Sequence, residues 1–239
     1  MISAEHVIAL LKQQASEEHA ERMQGFFKTG KGQYGEGDVF WGIRVPNQRA
    51  IAKDVWKDLS KDQWPTLIQH PVHEVRLTAL FILTYWYEKA KTEKEREQWV
   101  AWYIEYRAFI NNWDLVDTSA HKVLGDWFWD RDRSVLMDWV GSQDLWEVRI
   151  AVVSTYRFIK RGDYSSTLWM AGQLFSHPHD LIHKAVGWML REVGKMEEEV
   201  LLEFLNQHYT HMPRTMLRYA IERLHEPLRK DYLLGKVKN

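Results

Sequence analysis

Residues 146–156, WEVRIAVVSTY, set the fold. Their apolar side chains recur at i, i+3, i+4 and i+7, the signature of a helix with one buried face. The same beat runs through LTALFILTYWYEKA (77–90), IHKAVGWMLREVGK (182–195) and TMLRYAIERL (215–224). Five of the six prolines, Pro46, Pro65, Pro71, Pro178 and Pro213, stand shortly before such a pattern, where proline is tolerated. Alternating strand patterns with hairpin dipeptides are absent, so the chain reads as all-α.

Aligned on their apolar spacing, five segments share one register: HEVRLTALFIL, DLVDTSAHKVL, WEVRIAVVSTY, LIHKAVGWMLR and TMLRYAIERL. Their fourth residues are Arg76, Asp117, Arg149, Lys184 and Arg218. Arg76 to Asp117 is 41 residues, Asp117 to Arg149 is 32, Arg149 to Lys184 is 35, and Lys184 to Arg218 is 34. Periods of this length with two helices per unit predict a HEAT-like or armadillo-type solenoid. Equivalent positions of a solenoid share a face, so the four cations are expected along one concave groove. Such a groove suits a polyanion, because phosphate contacts from Lys and Arg give sequence-independent affinity.

Asp117 interrupts the cations. A carboxylate repels phosphate, and it belongs in such a groove only if it faces something positive. Flanking cations would keep it ionised. A purine alkylated on a ring nitrogen carries a formal positive charge, and the deoxyribose it leaves develops oxocarbenium character. Trp113 lies four residues before Asp117 and shares its helix face, and Trp188 lies four after Lys184 on the matching face of a later repeat. Indole faces attract cations. Trp113, Asp117 and Trp188 are therefore the candidate cage for a cationic base or sugar. The plainer reading makes Asp117 half of a salt bridge and the indoles core.

Composition bounds the alternatives. The chain has 239 residues, 45% of them apolar, with 13 tryptophans, more than a core ordinarily needs. There is no cysteine, which excludes disulfides and thiolate metal sites and points to a reducing compartment. The net charge of −1 makes nucleic acid a poor guess unless the cations gather on one face. The start, MISAEHVIALLKQQ, lacks a signal-peptide pattern, and no apolar run is long enough to span a bilayer. The expectation is a cytoplasmic monomer with a single domain over 1–239 and no membrane association. Eleven histidines include no H-E-x-x-H, and His70/His73 and His177/His179 have no evident third ligand, so neither metal nor cofactor is expected. The glycine-rich stretch KTGKGQYGEGDVFWGIRVP (28–46) has no closing G-K-[ST] and is not a Walker A loop. It reads as a connector, or as a flexible loop touching DNA through Lys28, Lys31 and Tyr34.

The ordered motifs WDLVD (113–117), LGDWF (124–128), LWEVRIA (145–151) and HKAVGWMLREVGK (183–195) resemble the AlkD-like DNA alkylation repair proteins, which are HEAT-like-repeat alkylpurine DNA glycosylases. The resemblance runs from about residue 20 to about residue 225. It implies excision of positively charged N3- and N7-alkylated purines from duplex DNA without flipping the base, unlike the usual base-chemistry enzymes. It implies that Asp117 stabilises the developing sugar cation and positions water, and that Trp113 and Trp188 pack on the deoxyribose. Arg149 then contacts phosphate beside the lesion; the repeat register adds Arg76, Lys184 and Arg218 as DNA contacts, and Arg191 is counted with them. Two positions depart from the pattern. Asn112 stands where some members have an aromatic, and Phe26 stands where a tyrosine can face DNA, with Tyr34 nearby as a substitute hydroxyl. The alternative class is a non-catalytic repeat module that binds DNA structures or a protein partner, since fold alone does not give activity.

Overall fold

A computed structural model describes residues 1–237. Among these residues the regular structure is helical, with two isolated β-bridges, Ile2 to Leu59 and Val39 to Val72. This matches the all-α helical-repeat expectation. The chain forms two compact units, residues 1–119 and 120–239. No helix of the described residues is long and apolar enough to cross a membrane.

The first unit contains α1 (Ala4–Lys12), α2 (Glu17–Phe26), α3 (Val45–Val55), α4 (Trp64–Ile68), α5 (His73–Lys89) and α6 (Glu93–Glu105). The boundary falls within α7 (Trp113–Trp127). Side-chain hydroxyls start several of these helices: Ser3 accepts from the His6 N–H, Ser16 from His19 and Thr92 from Glu95. Each satisfies a donor that the first turn leaves unpaired. Pro46 and Pro65 occupy first turns, where no N–H is missed. Helix α5 is the axis of the unit, and nearly all of it is buried, from His73 to Tyr87, because α1, α3, α4 and α6 pack around it. Its run LTALFIL is apolar all round, as a central helix requires.

The segment 38–43 is fixed to α5 rather than loose. Glu74, fully buried, accepts the backbone N–H groups of Trp41 at 3.1 Å, Gly42 at 2.7 Å and Ile43 at 3.0 Å. The charge of that carboxylate is thus met by three donors. Gly42 has φ of 75°, and a Cβ there would lie 2.2 Å from the Ser16 carbonyl oxygen, so only glycine fits. Of the two readings of 28–46, the connector fits its C-terminal part.

The second unit contains α8 (Ser134–Val140), α9 (Leu145–Ile159), α10 (Ser165–Gln173), α11 (Asp180–Met196), α12 (Glu198–His208), α13 (Arg214–Ala220) and α14 (Glu226–Leu234). Here the repeat is explicit. Helix α9 packs on α11 and α11 on α13, while α8, α10 and α12 each pack on a member of that row. Close approach is set by glycine. A Cβ at Gly187 would lie 2.5 Å from the Met216 carbonyl oxygen and 2.5 Å from Tyr219 Cβ. Gly187→Ala is therefore expected to lower stability by about 1–3 kcal/mol through overpacking, net of the helix propensity it gains. Urea unfolding would show it, and a stabilised variant would contradict this account of the α11–α13 contact. Helix α13 stops at Ala220, short of the expected Leu224. The chain continues in turns, with the Leu224 N–H donating to Ile221 at 3.1 Å, before Pro227 opens α14.

Candidate functional site

In the first unit, the start of α7 is held by a buried polar network. The Asp38 carboxylate accepts from His73 Nδ1 at 2.7 Å, an Arg76 terminal nitrogen at 2.7 Å and Asn112 Nδ2 at 3.2 Å. His73 Nε2 bonds to Asp114 at 2.8 Å, so the imidazole bridges two carboxylates. Asn112 is fully buried, and its side-chain carbonyl accepts the Trp113 N–H at 2.9 Å. The departure from the family pattern at Asn112 thus has a local reason, because an amide there joins the helix start to Asp38.

Burial pushes the His73 pKa down, but the Asp114 charge and hydrogen bond, together with Asp38, overcome it and raise the value to about 9. Burial likewise pushes the Asp38 pKa up, and the hydrogen bonds and charges of His73 and Arg76 outweigh it and hold the carboxyl low. The network is therefore two carboxylates against an imidazolium and a guanidinium.

Arg76 is part of the same network. The register placed it in a row of exposed cations, yet it is 5% exposed. Besides Asp38, it donates to the carbonyls of His70 and Pro71 at 3.0 Å each and to Asn111 at 3.2 Å. Removing it from those partners to reach phosphate would leave Asp38 buried and undercompensated. Arg76 thus ties Asp38 and Asn111 together beside the α7 start.

Trp113 is half-buried and its ring is stacked on Phe27, with centroids 5.1 Å apart and planes 13° apart. Phe27 stacks in turn on Phe40 at 4.9 Å. Phe26 meets Trp113 edge-on at 5.7 Å while remaining 62% exposed, a large apolar side chain left in solvent beside the motif tryptophan. The Tyr34 hydroxyl reaches the Phe26 carbonyl at 3.5 Å, which puts a phenol next to this aromatic group. Asp117, one turn after Trp113, is half-buried. Its charge reaches Tyr103, whose pKa is raised by burial against the Ser119 hydrogen bond and with the help of Asp117. Tyr103 and Ser119 are 2.9 Å apart, and the Ser119 hydroxyl donates to Leu115.

In the second unit, Trp188 is half-buried, with its ring 6.0 Å from Tyr156, and Tyr156 meets His121 edge-on at 5.0 Å. Burial, reinforced by the charges of Lys122 and Arg157, lowers the His121 pKa to about 4, so this imidazole is neutral at physiological pH. Arg149 is 5% exposed, and one terminal nitrogen donates to the Leu181 carbonyl at 2.6 Å. Lys184 and Arg218 differ. Arg218 is exposed, and Lys184 has a side chain 40% exposed that pairs with Asp180 one turn earlier at 2.9 Å. Together with Thr215, Tyr219 and Glu222 they line a cleft of about 360 Å³. Arg191 is bonded to Glu222.

Sequence reasoning missed Asp38, His73, Phe27, Tyr156 and His121. Asp114, inside WDLVD, was the available signal for the first two, since an acid at the first turn of a helix implies a partner donor. Among the described residues no cluster of three or more potential ligands could hold a metal ion.

A family model described as DNA alkylation repair enzyme matches residues 7–224. Among solved structures, a protein described as a predicted DNA alkylation repair enzyme from Enterococcus faecalis is similar in fold, with a TM-score of 0.69. The two chains are 18% identical, over 89% of this chain and 98% of that one. No curated protein matches.

Proposed function

The chain belongs to the family of DNA alkylation repair enzymes, and from that premise we propose that it is an alkylpurine DNA glycosylase of base excision repair. The substrate is duplex DNA carrying positively charged N3- or N7-alkylated purines, such as 3-methyladenine and 7-methylguanine. The reaction is hydrolysis. As the C1′–N bond breaks, its electron pair passes to the cationic purine and neutralises it. Water adds at C1′ and gives up a proton. Asp117 faces the sugar as positive charge develops there, and orients that water. Packing on the deoxyribose is the role that the resemblance to the AlkD-like proteins gives to Trp113 and Trp188. No cofactor is needed, because the substrate brings its own leaving-group activation.

The observation that carries this reading is the placement of Asp117. It stands half-buried one turn beyond an indole that stacking on Phe27 and the Asp38 network hold in place. Phosphate contact is assigned to Lys184 and Arg218, whose side chains reach solvent, with Arg149, Arg191 and Tyr34 as flanking contributors and Phe26 as an apolar contact to the DNA. Arg218→Ala is expected to weaken binding to all duplexes alike and to reduce the slope of log K against log[salt] by about 1. An unchanged slope would remove Arg218 from the interface. The direct test of function is incubation with methylated duplex and chromatography of freed bases.

The burial of Arg76 and Arg149 favours a second reading, a non-catalytic repeat module, because it thins the row of cations. Such a module, whether it holds a DNA structure or a protein partner, releases no base.

A further inference from the structure

A second cleft, of about 310 Å³, lies in the first unit where the end of α3, the end of α5 and the start of α6 meet. Lys57, Lys61, Lys89 and Lys91 surround it, and all four are exposed. None of the four forms an ion pair with a carboxylate among the described residues, in a chain with 33 acidic residues to supply one. The single acid at the rim, Glu95, accepts the Lys91 backbone N–H at 2.7 Å. The floor is indole. Trp86 and Trp99 stack at 4.9 Å and are buried, whereas Trp56 is half-buried and turns part of its ring to the cleft. The ammonium groups of Lys61 and Lys57 sit over Trp99 and Trp56, at 4.8 and 5.6 Å from the ring centroids.

Four unneutralised cations around one concavity repel each other, and an anion lowers that energy. An indole wall beside them suits an anion with a flat π-face, since base–aromatic stacking combined with cationic contacts is how proteins hold nucleotides without reading sequence. The volume matches the lower end of small-ligand sites. We propose that this cleft is a nucleotide-binding site, with the phosphates on the lysines and the base against Trp56. Helix α5 rises about 24 Å from His73 to Lys89, so the cleft stands at the opposite end of that helix from the network supporting Trp113. It is a site distinct from the one proposed for base excision and does not depend on that proposal.

The chemistry fits a free nucleotide or an unpaired nucleotide of a DNA strand, and titration calorimetry separates them. ADP, inorganic pyrophosphate and a short thymidine oligonucleotide are each titrated into the whole protein. ADP is expected to bind one to one. Lys61→Ala with Lys91→Ala should weaken it at least tenfold, and Trp56→Leu should weaken ADP but not pyrophosphate. Tighter binding of the oligonucleotide, lost in the same variants, would identify the strand as the source, and tighter ADP the free nucleotide. No saturable ADP binding up to millimolar concentration, equal binding of ADP and pyrophosphate, or indifference to the lysine pair would overturn the site. These lysines lie on the surface, so thermal unfolding of the double variant should match that of the parent. Release of methylated base should also be unchanged in it, which keeps the failure of either proposal visible on its own.

Discussion

Asp117→Asn is expected to slow release of 7-methylguanine from methylated duplex by about a thousandfold, with duplex affinity unchanged or slightly higher. The size follows from one carboxylate about 4 Å from a developing cation at an effective dielectric near 20, which is worth about 4 kcal/mol. Asparagine keeps the shape and the hydrogen-bonding reach and removes only the charge. The affinity should hold because a negative charge facing phosphates opposes binding, and its loss relieves that. Single-turnover release with saturating protein separates the chemical step from binding. A variant that binds poorly but cleaves at the parent rate once bound would place Asp117 in the scaffold rather than in the chemistry. The same variant should retain the parent unfolding midpoint within a few degrees, since asparagine keeps the shape of the side chain and Asn112 and Asp114 hold the helix start.

Asp38→Ala is the second large effect, and it acts through stability. Loss of that carboxylate leaves the Arg76 guanidinium and the His73 imidazolium buried with one acid, Asp114, between them. Breaking a buried pair from one side costs about 3–5 kcal/mol, a large part of the roughly 5–15 kcal/mol that keeps a domain folded. Urea unfolding at pH 7 reads it directly, and a loss below about 1 kcal/mol would show that water already compensates the network. The pH profile carries the same information. The folded pKa of His73, about 9, lies above its ordinary 6.5. Its contribution is therefore complete below about pH 6.5 and is lost as pH rises through 9. The folded pKa of Asp38 lies below its ordinary 3.8. Its contribution is complete above that value and is lost as pH falls through the depressed one. Stability should thus fall between pH 7 and pH 10, and His73→Leu should flatten that fall.

The helices and their repeat were legible in the sequence because apolar spacing reports which face of a helix is buried, and the row of α9, α11 and α13 is that spacing made solid. What the register could not supply was the occupant of the opposite face. Arg76 and Arg218 hold equivalent positions in the pattern, yet one is clamped to Asp38 and the other is in solvent. The difference lies in a loop residue 38 positions upstream, which periodicity does not register. The glycine-rich stretch stayed open between connector and flexible loop for a related reason. Glycine marks freedom in a sequence, but Gly42 is there because Ser16 and Ala20 leave no room for a side chain. Tryptophan number was an equally blunt signal: Trp64 and Trp99 are core, while Trp113 and Trp188 are half-buried.

The central claim is that the protein cuts the N-glycosidic bond rather than merely holding damaged DNA. Duplex treated with a methylating agent, incubated with the unmodified protein and filtered to remove DNA and protein, answers it by chromatography of the filtrate. Free 7-methylguanine and 3-methyladenine well above the spontaneous background, with matching abasic sites left in the duplex, is the result the account predicts. A filtrate at background from DNA that the protein has visibly bound would contradict it.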